Sequence, residues 1–116
     1  MAERSSLVDR EEVVAKMAAN RWDLMIQGKI DEAYQDYVSP ATKAVMSREA
    51  YRGGIKLGLW KSAKVDRVAC ASEEICSVDV IVRYAYKTRG MAIENDAVVP
   101  ETWRLVDGRW WYVPRQ

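Results

Sequence analysis

E-T-W-R-L-V-D-G-R-W-W-Y-V-P, residues 101–114, decides the fold of this 116-residue chain. Two short runs of aromatic and β-branched residues flank Asp107-Gly108, a dipeptide suited to a two-residue type I′ turn. A turn there sets Val106 opposite Arg109, Leu105 opposite Trp110, Arg104 opposite Trp111 and Trp103 opposite Tyr112. Side chains alternate along a strand, so Trp103, Leu105, Trp110 and Tyr112 share one face, the core face. Thr102, Arg104, Val106, Arg109, Trp111 and Val113 share the other. On that second face Trp111 lies across from Arg104. Two readings stand: a guanidinium lying on an indole at a solvated surface, or an interface patch over a large apolar ring.

Moving toward the N-terminus, Cys76, Val78, Val80, Val82, Tyr84 and Tyr86 alternate with polar neighbours and predict a strand with one core face. The run before it changes phase: Ala63 and Val65 fit one parity, Val68 and Cys70 the other. A bulge near Asp66-Arg67 reconciles them. Arg89 to Asp96 reads as a connection. A three-residue loop at Ser72-Glu73-Glu74 makes Cys70 and Cys76 directly opposed neighbours, close enough for a disulfide worth about 2 kcal/mol. The alternative is two reduced cysteines on the core face. A disulfide implies a periplasmic or otherwise extracytoplasmic protein whose export signal lies outside this sequence; reduced thiols imply the cytoplasm.

The first half reads as helices. Asp9 with Glu12 forms a capping-box-like start, and Val14, Ala18, Trp22, Met25 and Ile26 follow at helical spacing up to Gly28. Residues 1–8 are expected to be a flexible N-terminus and 9–116 one domain. A second helix spans about Ile30 to Tyr37 and is stopped by Ser39-Pro40. Ser47 opens a third, short helix that ends at Gly53-Gly54. Three helices followed by four strands predict an α+β fold: three N-terminal helices packed on a curved, mainly antiparallel four-stranded sheet.

Composition excludes several functions. The chain is 49% hydrophobic and 30% charged with a formal net charge of +1, which gives no electrostatic case for nucleic acid or anionic membrane. No apolar run is long enough to span a bilayer, and no signal peptide is visible at the start. There is no histidine and there are only two cysteines, so the commonest general base and a tetrahedral zinc site are both missing. No cofactor and no metal site is expected.

The order of elements resembles the nuclear transport factor 2-like superfamily, a cystatin-like α+β cone. The residues that carry the resemblance are R-W-D-L-M-I-Q-G-K-I-D-E-A-Y at Arg21–Tyr34, the Ser47 cap, and W-R-L-V-D-G-R-W-W at Trp103–Trp111. The superfamily includes isomerases, dehydratases and many proteins that only bind or pair. The isomerases use a tyrosine on the first helix, where this chain has Arg21-Trp22. They use a carboxylate base after the second helix, where Pro40 to Met46 has no acid. They place a protonated acid on a late strand, and Glu101 falls at that place. Glu101 is thus the single catalytic candidate; at the rim of an apolar cone its pKa would be raised. Its alternative is a solvated strand-end residue after Pro100. A ligand pocket of the implied kind would be lined by Trp22, Tyr37, Tyr51, Glu101 and Trp103.

The expected function is therefore a non-enzymatic small-ligand-binding or protein-assembly domain. Its homodimer contact would be the sheet face carrying Ile81, Arg104, Val106, Trp111 and Val113, and its ligand a small apolar molecule. The alternative is a carboxylate-dependent isomerase or lyase that relies on Glu101.

Overall fold

A computed structural model describes residues 2–53 and 59–114. The order is α1 (Ala2–Ile26), α2 (Ile30–Tyr37), α3 (Pro40–Val45), α4 (Arg48–Gly53), β1 (Trp60–Cys70), β2 (Ile75–Thr88), β3 (Met91–Val106) and β4 (Arg109–Val113). The strands form one antiparallel sheet in the order β1-β2-β3-β4, so the fold is α+β.

Four helices are present rather than three. Ser39-Pro40 does end α2, but it also starts α3: Ser39 is the N-cap, its Oγ accepts from the Thr42 amide at 3.2 Å, and Pro40 takes the first turn, where a missing N–H costs nothing. Ser47 caps α4 as expected, accepting from the Ala50 amide at 3.1 Å. The end of α4 at Gly54 lies outside the described residues. The start of α1 is a second correction. The helix runs back to Ala2, so Asp9 and Glu12 lie within it and residues 2–8 are helical rather than a flexible lead. The run E-R-S-S-L contains no proline or glycine to stop it.

The helix α1 buries Val14, Ala18, Trp22 and Met25, one stripe at spacings of three and four. It packs on the face of the sheet that carries Val78, Val80, Val82, Trp103 and Trp110, all buried. Burying one such aliphatic side chain is worth about 1.5–3 kcal/mol, so this stripe supplies much of the drive to fold.

The sheet register follows the sequence closely. Trp103 pairs with Tyr112, Arg104 with Trp111, Leu105 with Trp110 and Val106 with Arg109. Asp107 and Gly108 both have positive φ, at 53° and 79°, as a type I′ turn requires. The register shift between Val65 and Arg67 places a bulge at Asp66, and a second shift isolates Lys61. Cys70 pairs with Cys76, and the two are joined by a disulfide; the Ala71 amide donates to the Ile75 carbonyl at 3.0 Å, which leaves Ser72-Glu73-Glu74 as the loop expected.

The segment Arg89 to Asp96 is not a loose connection. Arg89-Gly90 is a second turn with both φ values positive, at 51° and 79°, and β2 pairs with β3 from Ile75↔Arg104 out to Thr88↔Met91. The last part of this hairpin reaches past the start of β1 at Trp60↔Tyr84 and past the end of β4 at Thr102↔Val113. The sheet edge at β4 is covered: Val38 bridges Tyr112 in parallel, and the Ser39 amide donates to the Tyr112 carbonyl at 2.9 Å. No described helix is long and apolar enough to cross a membrane.

Candidate functional site

The two buried charged residues among those described, Arg21 and Glu101, meet in the core. Alternation along β3 turns Glu101 and Trp103 inward together, and α1 presents Arg21 and Trp22 from above. Glu101 Oε2 accepts from Arg21 Nη1 at 2.7 Å and from Trp22 Nε1 at 2.8 Å. Its Oε1 accepts from Trp103 Nε1 at 3.1 Å. The Arg21 guanidinium donates through Nε and Nη2 to the Tyr51 hydroxyl, at 3.2 and 2.8 Å, and lies 3.6 Å from the centre of the Tyr112 ring. Tyr37 meets Trp103 edge to face at 6.3 Å, and Tyr34 donates its hydroxyl to the Met46 carbonyl at 2.6 Å.

The expected pocket residues Trp22, Tyr51, Glu101 and Trp103 are thus brought together, with Tyr37 beside them. They meet as packed partners. The side chains of Arg21 and Glu101 are 3% and 1% exposed. Glu101 is therefore not the solvated strand-end residue that its place after Pro100 suggested; it sits mid-strand, opposite Val78, on the inward parity. Three clefts of about 650, 390 and 390 Å³ are lined by other residues.

Electrostatics follow from burial. Desolvation works to lower the Arg21 pKa, but Glu101 and the two phenols outweigh it and the net direction is upward. Burial pushes the Tyr51 and Tyr112 hydroxyls above the usual phenol range, opposed by the Arg21 charge. Three donors engage both carboxylate oxygens of Glu101, and its burial leaves a substrate no access. An ion pair taken out of water needs this degree of satisfaction to survive.

Sequence reasoning missed Arg21 as the partner of Glu101. The signal was there: Arg21 falls three residues after Ala18 and four before Met25, on the apolar stripe of α1. An arginine on such a stripe calls for a buried acid.

The expected interface residues lie together on the opposite face. Arg104 is exposed, and Ile81, Val106, Trp111 and Val113 are half-buried. The cations on the Trp111 indole are not Arg104, its cross-strand neighbour. They are Arg109, 4.0 Å from the ring centre, and Lys43 of α3 at 5.1 Å. Arg109 is drawn there because its guanidinium donates to the Asp36 carbonyl. Among the described residues no group of histidine, cysteine and acid side chains is arranged to hold a metal.

No family model and no curated protein matches the sequence. Among solved structures, the solution structure of RPA3114, a SEC-C motif containing protein from Rhodopseudomonas palustris, is similar in fold. It has a TM-score of 0.61 at 15% identity, over 84% of this chain and 73% of that one. The likeness concerns the fold alone.

Proposed function

We propose that this chain is a non-enzymatic protein-assembly domain of the nuclear transport factor 2-like type, working outside the cytoplasm as a homodimer. The observation that carries the reading is the state of Glu101. The one candidate acid is held by Arg21, Trp22 and Trp103 at both oxygens, in a closed interior. A carboxylate so occupied braces a helix against a sheet; this weighs against the isomerase or lyase alternative. The same packing also leaves a small apolar ligand little reason to enter between those residues. The Cys70–Cys76 disulfide supports an oxidising compartment.

The outer sheet face supplies the contact. Half-buried Ile81 and Val113 and strongly exposed Val98 lie there with Trp111 and its cations. Tryptophan and arginine are both enriched at the energetic centres of interfaces. Light scattering of the purified, oxidised protein tests this. Twice the chain mass is expected, falling to a monomer with Trp111→Ala while the far-ultraviolet spectrum is kept. A wild-type monomer, or a dimer indifferent to Trp111→Ala, would refute the contact.

A further inference from the structure

Beyond the end of β4, the β3 edge has no strand neighbour among the described residues. β4 pairs with β3 only from Thr102 to Val106, whereas β3 begins at Met91. Which backbone groups point outward is settled three ways. Pro100 has no N–H, so its pairing with Asp79 cannot be the hydrogen-bonded kind, and its nitrogen faces the edge. The Leu105 amide donates toward β2's side, to the Glu74 carbonyl at 2.8 Å. The two-residue turn at Arg89-Gly90 makes Thr88–Met91 a hydrogen-bonded pair. Odd-numbered β3 residues therefore bond to β2, and even-numbered ones face away. Ala92, Glu94, Asp96 and Val98 each present an N–H and a C=O to the edge, with no strand partner among the described residues.

The side chains along this edge define what fits it. Glu94 and Asp96 lie on the outer face and share one cation, Arg83 of β2, at 3.9 and 3.7 Å. All three are more than half exposed. The acidic pair thus has Arg83 on its β2 side and no strand opposite on its free side among the described residues. On the inner face the same stretch carries half-buried Ile93 and Ala97 on either side of exposed Asn95, with Tyr84 and Tyr86 stacked at 6.0 Å on the neighbouring strand. A strand added here would set one side-chain row against two carboxylates and its other row against a mainly apolar strip.

We propose that Ala92–Val98 is a β-augmentation edge that accepts an extended segment of another protein, alternating basic and apolar residues. The acids disfavour a second β3 as occupant, because symmetric pairing brings carboxylates of the two copies toward one another. This edge shares Val98 with the outer face assigned to the dimer, but Trp111→Ala leaves the edge untouched and Glu94→Lys with Asp96→Lys leaves Trp111 untouched, so either assignment can fail alone.

The test uses the capped synthetic peptide Lys-Val-Lys-Val-Lys-Val-Lys and amide spectra of the oxidised, full-length protein. Saturable shifts and slowed exchange are expected at Ala92, Glu94, Asp96 and Val98, and not at the already bonded Ile93, Asn95 and Ala97. Val98→Pro removes an outward N–H and leaves the β2 ladder intact, as Pro100 already does; it should weaken binding about fivefold. Glu94→Lys with Asp96→Lys should abolish binding, and since both side chains are exposed the fold should survive. Absence of saturable shifts would overturn the proposal. So would equal binding of a Glu-Val-Glu-Val-Glu-Val-Glu peptide. Concentration-dependent protection of the four amides without peptide would overturn it in favour of a second copy.

Discussion

The two ends of β3 are one continuous strand in two different environments. Over Glu101 to Val106 it pairs with β2 as far as Arg104 and with β4 from Thr102 on, with α1 above; Glu101 and Trp103 are buried and the Trp103 ring has no exposed surface. From Met91 to Val98 it has β2 alone, and Met91 and Val98 are 65% and 62% exposed. The contrast shows that strand formation here does not need burial. A type I′ turn and cross-strand pairs suffice for the arm, while stability is concentrated where helix, indoles and ion pair meet.

Removing a carboxylate should have very different effects at the two ends. Glu101→Ala strands the buried Arg21 charge and two indole N–H groups, so a loss of about 3–5 kcal/mol is expected by denaturant titration. Glu94→Ala, an exposed member of a shared surface pair, should stay within about 0.5 kcal/mol. Similar costs at the two positions would contradict the division.

The disulfide belongs to the core end, where Cys76 is buried and pairs across to Trp103. Reduction, or Cys70→Ser with Cys76→Ser, should cost about 2 kcal/mol of global stability, read as a lower midpoint in urea. The arm should keep its turn, with unchanged shifts at Arg89 and Gly90. Collapse of the arm on reduction would show that the two ends are one cooperative unit.

Alkaline pH should act on the core end alone. Tyr51 and Tyr112 have raised pKa values because burial disfavours their phenolates. The unfolded chain loses those protons first, near pH 10, so stability is fully present below that value and falls as pH rises through the folded pKa. Each phenol contributes a slope of at most about 1.4 kcal/mol per pH unit. Tyr51→Phe should flatten the decline measured between about pH 10 and 11; an unchanged slope would mean that Tyr51 is not buried as described.

The smallest effects compare the two turns. Gly108 and Gly90 share a φ of 79°, so alanine at either is strained by about 1 kcal/mol. Gly108→Ala should lower global stability by that amount. Gly90→Ala should appear mainly as faster amide exchange in the arm. Equal global losses would argue that the arm is integral to the core.

Much of this architecture is written in local chemistry. Asp107-Gly108 gave the register because aspartate and glycine are the residues that tolerate positive φ at both turn positions. Cys70 and Cys76 followed from parity, as did the bulge at Asp66. Arg89-Gly90 was harder to see, since arginine has no special preference for positive φ, and the polar run I-E-N-D beyond it looks like a loop when the face it exposes is solvated. The helix α3 was hidden because Ser39-Pro40 is both a stop for α2 and a start for the next helix. The pairing of Arg21 with Glu101 spans 80 residues, and no local pattern encodes a contact made only when α1 lies on the sheet. The stacking of Arg109 rather than Arg104 on Trp111 depends equally on a remote group, the Asp36 carbonyl.

The most direct test of Glu101 as a structural brace is a double-mutant cycle with Arg21→Ala and Glu101→Gln, read by urea unfolding. A coupling free energy of about 1–3 kcal/mol between the two sites is expected. Additive losses, with coupling under about 0.5 kcal/mol, would contradict the brace and return Glu101 to the role of a free acid.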